Sequence, residues 1–325
     1  MLGPIALDAS FLYVAQQDGC KDTDPGPRGN GGVWRIDRTT GHAERIGRDA
    51  DLVRDMLPRG STLWLSTVPA WCQRASSHGI DGSIIALPLG GARPRRLDLS
   101  SGDAPAGPLL PAREAIDYAT RGGTRGPADV SKPVPGVVRL DEGTMMRSRI
   151  ACGVPLASAR VGDAFYFLEE PSGHDPQPGE VDLFRVSVRG GDAELLADDL
   201  TDARTFVQVG GDVVVKTKPH GIRAYSLSGA GPVARELVAG DGDAWNSVRD
   251  IVVARGAVVY VVGHARLQEV RAVPLTGGAS WQVAPPHRDP RGLVADDAGV
   301  FWVNLVDPER DPNRDGVFAC ETNAH

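Results

Sequence analysis

Residues 285–304 read PPHRDPRGLVADDAGVFWVN, and this stretch sets the pattern that the rest of the chain repeats. Pro290, Arg291 and Gly292 break the chain, Leu293 to Asp296 form a short β-rich run, Asp-Ala-Gly turns it, and Val300 to Val303 begin a second run carrying Trp302. Short runs bounded by Gly, Pro and Asp read as strands, and neither of these can bury itself. Copies must stack, and a fixed-period repeat of short strands predicts a solenoid or a propeller.

The apolar or aromatic marker of the second strand recurs at Tyr13, Trp64, Tyr118, Tyr166, Val214, Tyr260 and Trp302, at intervals of 51, 54, 48, 48, 46 and 42 residues. That spacing suits one four-stranded sheet per repeat. The chain is therefore expected to be all-β: a seven-bladed β-propeller with four-stranded blades, a single domain with blades at about 1–49, 50–98, 99–151, 152–198, 199–240, 241–284 and 285–325. Residues 99–135, rich in Gly, Pro, Ala and Arg, look like an inserted linker. However, GVVRLDEGTMMRSRIA (136–151) aligns without a gap to GVWRIDRTTGHAERIG (32–47), which makes this region a third blade. No helix is expected. The last blade lacks a fourth strand, and its open edge would invite pairing with another chain, as in a dimer.

PRGLVADDAGVFWVN, GPIALDASFLYVA and the Gly-Gly turns at 90–91, 190–191 and 277–278 carry a resemblance to a family of secreted bacterial β-propellers. The chain is also similar to the wider group that includes the YWTD, NHL and streptogramin-lyase propellers. The resemblance implies the fold and leaves activity open, since members range from adhesive modules to lyases.

Net charge is −7 with interspersed signs, which argues against a nucleic-acid surface. Arg outnumbers Lys 31 to 4, so arginine clusters here carry less weight than usual. No run of about 18 apolar residues forms a membrane span. The start, MLGPIALDAS, has no basic segment leading into a long apolar one. Cys20, Cys72, Cys152 and Cys320 show no C-x-x-C spacing, and two disulfides in an oxidising setting, secreted, periplasmic or at a bacterial cell surface, are expected, the alternative being four inert buried thiols in a cytosol. Cys20–Cys320 with Cys72–Cys152 would clasp first blade to last; Cys20–Cys72 is the rival pairing, and the sequence does not choose.

In a propeller, the connections between second and third strands and between blades leave from one end. Histidines His78, His174, His220, His264 and His287 are expected on loops there, with His42 alone in a turn at the other end. Arg54, Arg204, Arg249 and Arg291 occupy matching places about ten residues before the marker, where they could form an anion-attracting mouth. Alternatively each pairs with a neighbouring acid, Asp55, Asp202, Asp250 or Asp289, and staples blade to blade. Trp71 could stack on a ligand ring. DPNRDG (311–316) places Asp311, Asn313 and Asp315 like the first ligands of a calcium loop, although position twelve is Thr322. There is no G-x-S-x-G elbow and no Gly-rich phosphate loop. The expected function is a binding module for a protein, peptide, glycan or small anionic ligand. The alternative is a streptogramin-lyase-like lyase or hydrolase using His220, His264 or His287 as base beside a divalent metal such as calcium.

Overall fold

The computed structural model describes residues 2–16, 32–48, 52–68, 80–100, 105, 107–120, 136–152, 155–169, 181–198, 200, 206–217, 221–226, 233–239, 248, 250–264, 267–287, 290–304 and 316–320. They contain strands and no helix. The first sheet is β1 (Leu2–Leu7), β2 (Phe11–Gln16), β3 (Gly32–Asp37) and β4 (Ala43–Arg48). The second is β5 (Leu52–Arg59), β6 (Thr62–Val68), β7 (Ile80–Pro88) and β8 (Arg95–Ser100). The third, which begins within the linker-like stretch 99–135, is β9 (Leu110–Ala112), β10 (Ala115–Thr120), β11 (Gly136–Asp141) and β12 (Arg147–Cys152). Next comes β13 (Pro155–Val161), β14 (Ala164–Glu169), β15 (Asp182–Ser187) and β16 (Glu194–Ala197). The fifth holds β17 (Phe206–Val209), β18 (Asp212–Thr217), β19 (Gly221–Ser226) and β20 (Val233–Val238). The sixth holds β21 (Ile251–Ala254), β22 (Ala257–His264), β23 (Leu267–Pro274) and β24 (Trp281–His287). Finally β25 (Pro290–Ala295), β26 (Val300–Asn304) and β27 (Gly316–Cys320) make a three-stranded sheet. Six full blades thus stand where the marker spacing predicts seven, together with this shorter sheet.

Every sheet orders its strands as the chain does, so each strand pairs with its sequence neighbour. The first-to-second-strand turns are short because their residues accept the twist a hairpin needs. Gly60-Ser61 and Gly210-Gly211 each put a glycine at φ 56° first in a two-residue loop, the place where a side chain would be strained. Where no glycine serves, an aspartate does. Oδ1 of Asp8 accepts the amides of Ser10 and Phe11, and Oδ1 of Asp296 those of Ala298 and Gly299. The gapless alignment of 136–151 with 32–47 holds down to the irregularities. Both sheets bulge after the second residue of the third strand, and both close the next turn with an aspartate, Asp37 or Asp141, accepting the amide three residues on.

The chain divides into two compact units, Met1–Asp163 with Val186–Asp192 and Ala164–Arg185 with Ala193–His325. In the first unit one apolar layer joins the first and second sheets through Tyr13, Leu63 and Leu65, and another joins the second and third through Trp64, Ile116 and Tyr118. In the second unit corresponding layers join the fifth to the sixth sheet through Val214 and Tyr260, and the sixth to the last through Val261 and Trp302.

All seven markers are buried in second strands, yet they do not keep to one face. Tyr13, Trp64 and Val214 pack toward the following sheet, whereas Tyr118, Tyr260 and Trp302 pack toward the preceding one. Side chains alternate along a strand, so a one-residue slip changes the face. Register exposes the slip in the third blade. Ala115 pairs with Asp141 as Phe11 pairs with Asp37, so the residue matching Tyr13 is Asp117, not Tyr118. A carboxylate therefore occupies a place that elsewhere holds an aromatic ring.

Candidate functional site

Six of the seven buried polar residues among the described residues lie at one end of their sheets. Ser66, Thr67, Thr120 and Asn304 are at the ends of second strands, and Ser83 and Gln268 are near the starts of third strands; only Asp117 is mid-strand. This is the end from which second-to-third-strand and sheet-to-sheet connections leave. The opposite end carries the tight turns. In the first unit these groups bond within the fold, except Ser66 Oγ, which has no partner among the described residues. Thr120 Oγ1 exchanges hydrogen bonds with the backbone of Gly136 at 3.2 Å, and Ser83 Oγ donates to Asp98 at 2.9 Å.

In the second unit they do not. Cross-strand partners share a face, and Val261, Val270 and Ala284 face Trp302. One step nearer the strand ends, the same faces carry Gln268 and His287, which are Cα partners, and Asn304, two residues beyond Trp302. The His287 ring lies against the Trp302 indole, centroids 5.9 Å apart and tilted by 52°. The apolar layer between the sixth and last sheets thus ends in a polar layer of Gln268, His287 and Asn304. Gln268 is 0% exposed, and neither its Oε1 nor its Nε2 has a hydrogen-bond partner among the described residues; the same holds for Oδ1 of Asn304, 4% exposed. Burial lowers the His287 pKa below 6.5, so the imidazole is neutral at pH 7 and can both donate and accept.

Just outside this layer, Asp250 precedes β21 and accepts the amide of Gly292 in β25 at 2.8 Å. Asp55, the matching acid of the second sheet, accepts the amide of Leu109 beside the third sheet at 2.6 Å. Acids do staple sheet to sheet at this end, but through a neighbouring backbone amide. Burial is the largest influence on Asp55 and raises its pKa from 3.8 to about 6, the bonds from Leu109 and Met56 pulling the other way. A raised carboxyl pKa stabilises fully below about 3.8, and that stability is lost as pH rises through about 6. Asp55→Asn, which keeps the acceptor and removes the charge, is expected to raise the melting temperature at pH 7.5 and to leave it nearly unchanged at pH 4.

Among the other residues singled out by sequence, Arg54 is exposed on β5, and Arg291 lies on β25 opposite Val303. Two histidines expected on loops are in strands instead. His264 ends β22 opposite Leu267, and His287 ends β24. The sixth sheet extends its strands into what longer loops would have occupied, because near-continuous Val-rich pairing from Ala257 to His264 leaves only two residues before β23. Cys152 ends β12 and Cys320 ends β27. Trp71, His78, His174, Arg204, His220, Arg249, Asp311, Asn313, Asp315, Cys20 and Cys72 lie outside the described residues, and with them the calcium loop and the disulfide pairings. Among the described residues no three His, Cys, Asp or Glu side chains gather as a metal site. No helix among them is long and apolar enough to cross a membrane.

The sequence reading missed two groups, the polar layer and the ion cluster at Asp117. Asp117 is 0% exposed; its Oδ1 accepts from Arg139 Nε at 2.8 Å, and its Oδ2 from Arg139 Nη2 at 3.0 Å and Arg160 Nη1 at 3.2 Å. Arg139 Nη1 also donates to the Val188 carbonyl at 3.0 Å. The bond with Asp117 raises the Arg139 pKa further. The alternating pattern AIDYAT, with one acid amid apolar residues, was the available signal.

No family model matches the chain, and no curated protein does. Solved structures do. A structure from work on two prolyl endopeptidases is 13% identical with a TM-score of 0.66, covering 93% of this chain and 44% of its own. A Mycobacterium tuberculosis puromycin-hydrolyzing peptidase is 11% identical at 0.65, covering 93% and 48%. A chain of a nidogen/laminin complex is 10% identical at 0.53, covering 82% and 90%. This chain spans about half the length of the peptidases it matches. With the sheet order above, these likenesses define the class: an all-β propeller with four-stranded antiparallel blades. The likeness to the bacterial repeat family holds at the level of that fold.

Proposed function

We propose that the chain is a ligand-binding propeller of seven blades, β25–β27 being the last, and that it recognises a protein, peptide, glycan or small ligand at the end where the strand-connecting loops leave. The observation that carries this reading is the concentration of buried polar side chains at that end, while at the opposite end the first and second strands of each sheet are joined by turns of two to four residues. Pairing among Cys20, Cys72, Cys152 and Cys320 would fit an exported protein, and intact mass with and without reductant tests it. Peptide and glycan arrays test binding itself: Arg54→Glu or Arg291→Glu at the loop end should weaken capture of a hit at least tenfold, and Arg185→Glu in the middle of an outer sheet face should not. Equal effects of all three would overturn the reading.

The peptidase likenesses favour a second reading, in which the chain acts in hydrolysis, with His220, His264 or His287 as base and a divalent ion beside it. Elemental analysis and hydrolysis assays of the histidine-to-alanine variants separate it from simple binding.

A further inference from the structure

The polar layer of Gln268, His287 and Asn304 narrows the class of ligand, on the reading that the loop end binds. Burying an amide with donor and acceptor both unmade costs on the order of 1–3 kcal/mol per group. Such a layer sits at the end of packed strands in the second unit, whereas at the same end of the first unit Ser83 and Thr120 bond within the fold and a single hydroxyl, Ser66 Oγ, is left without a partner among the described residues. It presents two acceptors, Gln268 Oε1 and Asn304 Oδ1, one donor group, Gln268 Nε2, and the neutral imidazole of His287 beside them.

A carboxylate would accept from Gln268 Nε2 and leave both acceptors unmade. An ammonium would meet the acceptors and leave the Gln268 donor unmade, and an apolar group would pair with none. A pyranose brings several hydroxyls, more than this layer can pair. A main-chain peptide unit brings one N–H and one C=O, with the next N–H available for the second acceptor. We infer that the end of the seam between the sixth and last sheets, at Gln268 and Asn304, receives the backbone of an extended peptide segment.

The test uses the full-length, 15N-labelled chain and three probes: N-acetyl-glycyl-glycine amide, methyl glucoside and acetate. The Gln268 side-chain amide signal is assigned by through-bond correlation and checked by its loss in Gln268→Leu, so the assignment survives if that variant fails to fold. The expected result is a saturable shift of the Gln268 and Asn304 side-chain signals with the peptide amide alone, weakened roughly tenfold by Asn304→Ala. A shift of Gln268 by the glucoside or acetate instead would overturn the peptide assignment. If probes move the Ser66 and Thr120 amides but not Gln268, this inference fails and the loop-end reading stands. If no probe moves any signal at that end, both fail.

Discussion

Asp117→Ala is expected to lower stability by about 3–5 kcal/mol, the range found when one partner of a buried ion cluster is removed. Arg139 and Arg160 converge on the two oxygens of a carboxylate with no exposed surface, and both arginines are themselves largely covered, at 29% and 16% exposed. Without the acid, two partly covered guanidinium groups would lose the carboxylate to which both are bonded. Asp117→Asn should lose less, since its amide oxygen still accepts from one arginine. The triple change Asp117→Leu, Arg139→Leu, Arg160→Met should recover most of the loss, because apolar packing replaces a buried ion network at little or no penalty. Denaturant midpoints of the three variants measure this. An alanine variant as stable as the parent would mean that the carboxylate is not paired as described.

Trp302→Ala should lose a similar amount, about 3–5 kcal/mol, by opening a cavity in the layer between the sixth and last sheets. Trp302 is 2% exposed and among the largest buried side chains. Its indole also covers His287, whose pKa is lowered by burial. A lowered histidine pKa stabilises fully above 6.5, and that stability falls away as pH drops from 6.5 through the folded value. In Trp302→Ala the His287 pKa should return toward 6.5, and the fall in stability between pH 7 and 5 should flatten. NMR titration of the imidazole together with melting at both pH values checks the two halves of the prediction.

Much of the fold was legible because blade chemistry is local. Asp-Ala-Gly, Gly-Ser and Gly-Gly announce hairpins within a few residues, and the 32–47 and 136–151 segments match down to a shared bulge. Parity was not legible. Tyr118 looks like the partner of Trp64 by spacing, but only the pairing of Ala115 with Asp141 shows that Asp117 holds the matching position. The site was less legible still. Asp117 meets Arg139 at 22 residues and Arg160 at 43, and Gln268 meets the Trp302 layer only after sheets stack, so no local pattern links them. Histidines drew attention for their chemistry, yet His264 and His287 turned out to close strands. The glutamine that carries the strongest unmet bonding capacity has no motif to announce it.

If the end of the seam between the sixth and last sheets receives a peptide, the buried amide of Gln268 is retained for that ligand and not for the fold. Gln268→Met keeps the side chain's length and removes both polar atoms, so the denaturant midpoint decides the matter. A rise in stability of about 1–3 kcal/mol, with the response to the peptide amide lost, is the predicted result. A fall in stability would contradict it, because the amide would then be holding the sheets together.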